Sequence, residues 1–174
     1  MRMHTDRGFT LIELMIVLAI VAVLVALIAP KYQTYVRSAN ETSATASIAA
    51  IAKAEVAYAA TCGGGGYAVS MADLAKPPVA GGEGFIDPDL AEAANPENVK
   101  DGYFFTLTEK PGSTKVADRT RTCNNAAADP KSGYFATAQP SSPGSTGTKF
   151  YAIDERNRAR WSNTPLADVD SGNR

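Results

Sequence analysis

Glu13 is the residue near the N-terminus whose type and position most clearly predict chemistry. It lies in an apolar stretch, residues 9–29, in which only Thr10 is otherwise clearly polar. A carboxylate at membrane depth costs on the order of a few kcal/mol unless it is paired or protonated. Residues 9–29 contain no Lys, Arg or His, so a basic partner must come from a chain terminus or another molecule. Glu13 therefore indicates assembly.

Gly8 is a candidate cleavage site because it precedes the apolar stretch. A secretory signal peptide has its small-residue cleavage site after the apolar region. A cut after Gly8 would remove residues 1–8 as a leader and leave the apolar stretch on the mature chain, with Phe9 first. The new amine of Phe9 would place a positive charge close to the membrane face.

The apolar stretch predicts a helix that is long enough to cross a membrane. About 20 apolar residues suffice for a membrane-spanning helix, and residues 9–30 are expected to form one. Pro30 removes a helical hydrogen bond, and we expect it to kink the helix rather than end it.

The Ala-rich sequence that follows predicts a second, amphipathic part of the same helix over residues 31–61. Ile48, Ile51 and Tyr58 recur at roughly helical spacing and are expected to pack under a sheet. Lys53 and Glu55 are expected to face water.

Residues 62–174 are expected to form a globular head with an antiparallel sheet, which makes the fold class α+β. The run of four glycines after Cys62 ends the helix, and short helices are expected near Ala72 and Leu90. Short connections favour an antiparallel meander, and the last dozen residues are expected to be poorly ordered. The expected strands cover residues 103–108, 133–138, 149–153 and 158–161.

Composition argues against several classes of function. The formal charge of −1 gives no strong case for nucleic-acid binding. His4 is the only histidine and lies in the expected leader. Without it the chain would lack the commonest general base and the commonest nitrogen ligand for metals. We expect no enzyme activity, no cofactor and no metal.

Residues 7–15 resemble the cleavage and methylation signature of type IV prepilins. The signature joins a glycine, a phenylalanine and a glutamate at fixed spacing to an apolar helix, and Pro30 sits where helices of this family often kink. The matching residues are Arg7-Gly8-Phe9-Thr10-Leu11-Ile12-Glu13-Leu14-Met15.

The resemblance implies that a membrane aspartic prepilin peptidase cleaves after Gly8 and that the amine of Phe9 is N-methylated. It also implies that Glu13 pairs with the Phe9 amine of a neighbouring subunit in a homopolymeric filament. The chain would then be a structural subunit of a type IV pilus. Its partners would be further copies, the peptidase and the pilus assembly machinery. It would lie in the inner membrane as a precursor and then in an extracellular filament.

Cys62 and Cys123 are the only cysteines. In a translocated domain such a pair favours a disulfide over a metal site, which usually gathers four ligands. In many type IV pilins the disulfide closes a loop near the C-terminus, whereas this one would tie the helix end to the sheet region.

Two alternatives share the membrane helix. A minor pilin or a type II secretion pseudopilin has the same kind of N-terminus. A membrane-anchored periplasmic enzyme or binding domain would keep its leader.

Overall fold

A computed structural model describes residues 9–173 and has the expected α+β fold. A long first helix, α1, covers Leu11–Thr61 and is followed by two short helices and a four-stranded sheet. The chain forms two compact units that divide between Val36 and Arg37.

The first unit consists of the apolar part of α1. Every side chain of residues 9–28 is exposed, and Leu11–Ile28 is long and apolar enough to cross a membrane. A helix that is apolar on all sides is typical of a membrane span. The helix continues through Pro30, so it does not end there. A kink at Pro30 stays a prediction.

The second unit begins with the amphipathic part of α1. Ile48, Ile51 and Tyr58 are fully buried in the core, as their spacing predicts, and Lys53 is exposed. The expectation that Glu55 faces water is wrong, because its side chain is 0% exposed. Glu55 comes four residues after Ile51 and three before Tyr58, which places it on the same buried face of the helix.

The sheet is an antiparallel meander in the order β1-β2-β3-β4. Alternate residues of β1, such as Phe105 and Leu107, face the core that also contains Ile51 and Tyr58. The strands are β1 (Tyr103–Glu109), β2 (Tyr134–Pro140), β3 (Phe150–Asp154) and β4 (Arg160–Ser162). The two predicted short helices are present as α2 (Met71–Ala75) and α3 (Pro88–Glu92), and a 3-10 turn covers Arg119–Arg121.

The C-terminal segment, for which we expected poor order, packs against the sheet as far as Asn173. Val169 is 1% exposed. The N–H of Asn173 donates to the carbonyl of Trp161 in β4 at 2.6 Å. Asp170 forms ion pairs with Arg156 at 3.1 Å and with Arg158 at 2.8 Å. These partners lie elsewhere in the chain, so no local pattern in the segment predicts them.

The end of α1 is fixed by glycines and by the predicted disulfide. The N–H of Gly63 donates to the carbonyl of Tyr58 at 2.7 Å. Gly64 and Gly65 have φ of 62° and 90°, a conformation that favours glycine after a helix. Cys62 is bonded to Cys123, 61 positions further on, in the connection between β1 and β2.

Removal of the disulfide should destabilise the second unit strongly. In a Cys62→Ser/Cys123→Ser variant we expect the free energy of unfolding to fall by about 2–5 kcal/mol, because the unfolded chain regains a long loop. Urea unfolding followed by fluorescence of Trp161, the only tryptophan, measures the change. Dithiothreitol should destabilise the wild type and leave the variant unaffected. Equal unfolding midpoints for the two proteins would contradict the prediction.

Candidate functional site

The candidate site is the start of α1, where Thr10 precedes the first helical residue, Leu11. The N–H of Leu14 donates to the carbonyl of Thr10 at 3.2 Å, which is the first bond of the helical ladder. The carbonyl of an N-cap residue accepts this bond, and threonine is among the residues preferred at that position. Thr10 is therefore the N-cap of α1.

Glu13 and Thr10 hold each other through three hydrogen bonds. The Oε2 atom of Glu13 accepts from the backbone N–H of Thr10 at 2.9 Å and from its hydroxyl at 2.7 Å. The backbone N–H of Glu13 donates to Oγ1 of Thr10 at 3.3 Å. This reciprocal arrangement is a capping box, which satisfies N–H groups that a helix start leaves free.

The capping box gives the Glu13 carboxylate a local partner. A negative charge in the first turn is also favoured by the positive end of the helix dipole. Among residues 9–173 no Lys, Arg or His side chain forms an ion pair with Glu13. The hydrogen bonds thus lower the cost of an acidic residue in the apolar helix without supplying a positive charge.

Sequence reasoning identified Glu13 and missed Thr10. The signal was present, because a threonine followed three residues later by a glutamate, just before an apolar run, is the signature of a capping box. A carboxylate in an apolar helix suggests a basic partner, whereas the partner of Glu13 within the chain is a neutral threonine.

The other predicted site residues occupy different parts of the chain. Phe9 is 85% exposed and lies next to the N-cap. Gly8, the predicted cleavage residue, lies outside the described residues. Pro30 is within the helix, and Cys62 and Cys123 belong to the second unit. Within the described part of the chain, no group of three or more His, Cys, Asp or Glu residues could hold a metal ion.

Comparison with known protein families gives one match at the N-terminus. The family model described as "Prokaryotic N-terminal methylation motif" matches residues 3–29. No solved structure matches the chain. The matched segment contains the candidate site and the apolar helix, and it is a type IV pilin-like prepilin signature.

A motif of this kind is found at the N-terminus of type IV pilin-like proteins, a class that includes pilins and pseudopilins. This class is structural rather than enzymatic. With the apolar helix, the motif fits a membrane-anchored precursor and is consistent with processing by a peptidase and assembly into a filament.

Loss of the Thr10 hydroxyl should loosen the start of α1. In Thr10→Ala we expect the first turn to lose about 1 kcal/mol of stability, because no side-chain oxygen then accepts the N–H of Glu13. Hydrogen exchange of the Glu13 amide, measured by NMR in detergent micelles, should become roughly fivefold faster. Thr10→Ser keeps a hydroxyl and should exchange like the wild type. Unchanged exchange in Thr10→Ala would show that the cap does not stabilise the helix start.

Proposed function

We propose that the protein is a structural subunit of a type IV pilus and polymerises through α1 into a cell-surface filament. The observation that carries the proposal is the prepilin signature joined to an apolar helix that exposes every described side chain from residue 9 to 28. On this proposal a prepilin peptidase removes residues 1–8, Phe9 is N-methylated, and residues 9–30 form first a membrane helix and then the filament core.

The apolar helix supports assembly, because outside the bilayer its apolar side chains must be buried against other apolar groups and away from water. Soluble monomers rarely expose contiguous apolar patches of such size. Full burial of one Val, Leu or Ile side chain contributes about 1.5–3 kcal/mol, and the helix carries many of them. Parallel copies of the same helix provide a covering of matching length when the subunit leaves the membrane.

Glu13 would have a different partner at each stage. In a single subunit the capping box satisfies the carboxylate with neutral groups. In a filament the charged Phe9 amine of a neighbouring subunit would add the opposite charge, and a close ion pair inside a bundle of apolar helices is far better than an isolated buried carboxylate. The pairing would favour one axial register between neighbours.

The contribution of the Glu13 charge to filament assembly can be separated from the contribution of the capping box. Glu13→Gln retains a side-chain oxygen that can accept from Thr10 but removes the charge. We expect normal membrane insertion of this variant and a loss of at least tenfold in subunits recovered in sheared surface material, measured by quantitative immunoblotting of membrane and sheared fractions.

The matched control is Thr10→Ala, which weakens the cap and keeps the carboxylate. If Glu13 acts through its charge, Thr10→Ala should assemble better than Glu13→Gln. Wild-type amounts of filament in Glu13→Gln would overturn the proposed pairing with the Phe9 amine.

Processing at Gly8 should depend on the small size of that residue. We expect Gly8→Arg to accumulate as the uncut precursor, because a large charged side chain replaces the residue before the scissile bond. We expect Gly8→Ala to keep at least part of the processing. Intact mass spectrometry of the membrane fraction distinguishes the two forms, and a mature-sized Gly8→Arg product would contradict the assigned site.

The abundance of the processed protein tests the proposed role itself. Mass spectrometry of sheared surface material should show that the dominant protein begins at N-methylated Phe9. Processed protein confined to membranes or present in traces would instead indicate a minor pilin or a pseudopilin. A dominant uncut form would indicate a membrane-anchored domain of another kind.

A further inference from the structure

Glu55 is a buried acid that the proposed filament role does not use. Its side chain is fully buried in the second unit. Oε2 accepts a hydrogen bond from the backbone N–H of Ala68 at 2.9 Å. Oε1 is also buried and has no hydrogen-bond partner among the described residues. One half of the carboxyl group is therefore satisfied and the other half is not.

The groups around Glu55 supply no positive charge. Asp73 of α2 is 2% exposed, and its negative charge acts on Glu55. Asp73 itself accepts from the N–H of Ala127 at 2.7 Å. Other titratable side chains near this region are tyrosines, and beyond Tyr134 lie Asp154 and Glu155, which pair with Lys110. Neither Glu55 nor Asp73 has an ion pair with a described Lys or Arg. The tyrosines are Tyr58 on α1, Tyr134 on β2, and Tyr67, which contacts Tyr134 edge to face at 5.1 Å.

We propose that Glu55 is a proton-binding site of the second unit: folding takes up one proton from solvent to make Glu55 a neutral acid, and its ionisation weakens the attachment of residues 67–73 to α1. The bond to Ala68 connects α1 to the chain directly after the Gly63–Gly66 turn, beside the disulfide of Cys62. A neutral acid can keep this bond, whereas a charged one would lie fully buried with one oxygen unpartnered and a second acid nearby.

The direction of the proton linkage follows from the geometry. The pKa of Glu55 is raised well above 4.5, chiefly because the side chain is buried. The charge of Asp73 raises it further, and the hydrogen bond from Ala68 only partly offsets these two effects. A carboxyl whose pKa is higher in the folded state contributes stability that is complete below pH 4.5 and is lost as the pH rises through the folded pKa. The second unit should therefore lose stability toward alkaline pH.

Glu41 on the same helix is a matched control, because its pKa is lowered in the folded state whereas that of Glu55 is raised. Burial alone would raise its pKa, but hydrogen bonds from Thr148 and the charge of Lys149 outweigh burial and lower it. Oε1 of Glu41 accepts from the N–H and the hydroxyl of Thr148 at 2.9 and 2.8 Å. Its contribution to stability is present above pH 4.5 and is lost as the pH falls through its folded pKa.

The experiment is urea unfolding of the full chain in detergent micelles from pH 4 to pH 9, followed by Trp161 fluorescence, for the wild type, Glu55→Gln and Glu41→Gln. Between pH 4.5 and the folded pKa of Glu55, the unfolding equilibrium constant of the wild type should rise by up to about tenfold per pH unit relative to Glu55→Gln. Relative to Glu41→Gln, the wild type should instead gain stability as the pH rises from the lowered folded pKa of Glu41 toward 4.5. The lower end of the pH range captures part of this change.

A site-resolved measurement covers the case in which Glu55→Gln does not fold. The ¹³C chemical shift of the Glu55 carboxyl, titrated in the wild-type protein, should have its midpoint well above 4.5. A midpoint near or below 4.5 would overturn the proposal, and so would the same dependence of unfolding on pH in the wild type and Glu55→Gln.

Discussion

The structure depends on one long helix, α1, whose first part is exposed and whose second part is packed against the sheet. Before Arg37, the described side chains of α1, those of residues 11–28 and 31–36, are exposed on every face, and most of them are apolar. After Arg37 it buries one face in a core that includes Ile48, Ile51 and Tyr58. A buried face in the second part fixes the rotation of the helix against the sheet. The apolar surface of the first part is of the kind that lipid or other apolar helices cover.

Most of the fold follows from local patterns in the sequence. The spacing of Ile48, Ile51 and Tyr58 predicts the buried face of α1, and the glycines after Cys62 predict its end. The strands are equally predictable, because β1 alternates residues such as Phe105 and Thr106 between the core and the other face of the sheet. Each of these features depends on a few neighbouring residues, which a sequence shows directly.

The features that sequence reasoning missed involve polar groups whose partners it did not assign. Glu55 looks like a surface residue by type, yet its position in the helical repeat places it in the core. The C-terminal segment lacks a periodic pattern, and its contacts are with Arg156, Arg158 and the edge of β4. For Glu13 the partner was only three residues away, but a purely charge-based search excludes a threonine. For Glu13 and the C-terminal segment the polar partner decides the outcome, and composition does not identify it. For Glu55 the position in the helical repeat decides burial.

The glutamates of α1 show that one helix can hold the same side chain in three electrostatic settings. Glu13 is held by neutral donors at a helix start, Glu41 by the Thr148 donors and the charge of Lys149, and Glu55 by one backbone amide in the core. Only Glu41 has a cation close by among the described residues. A charge on Glu41 therefore strengthens its contacts, whereas a charge on Glu55 opposes burial. Because both belong to the same folded unit, their titrations act on its stability in opposite directions. Their combined contribution to stability should therefore be greatest between the two folded pKa values.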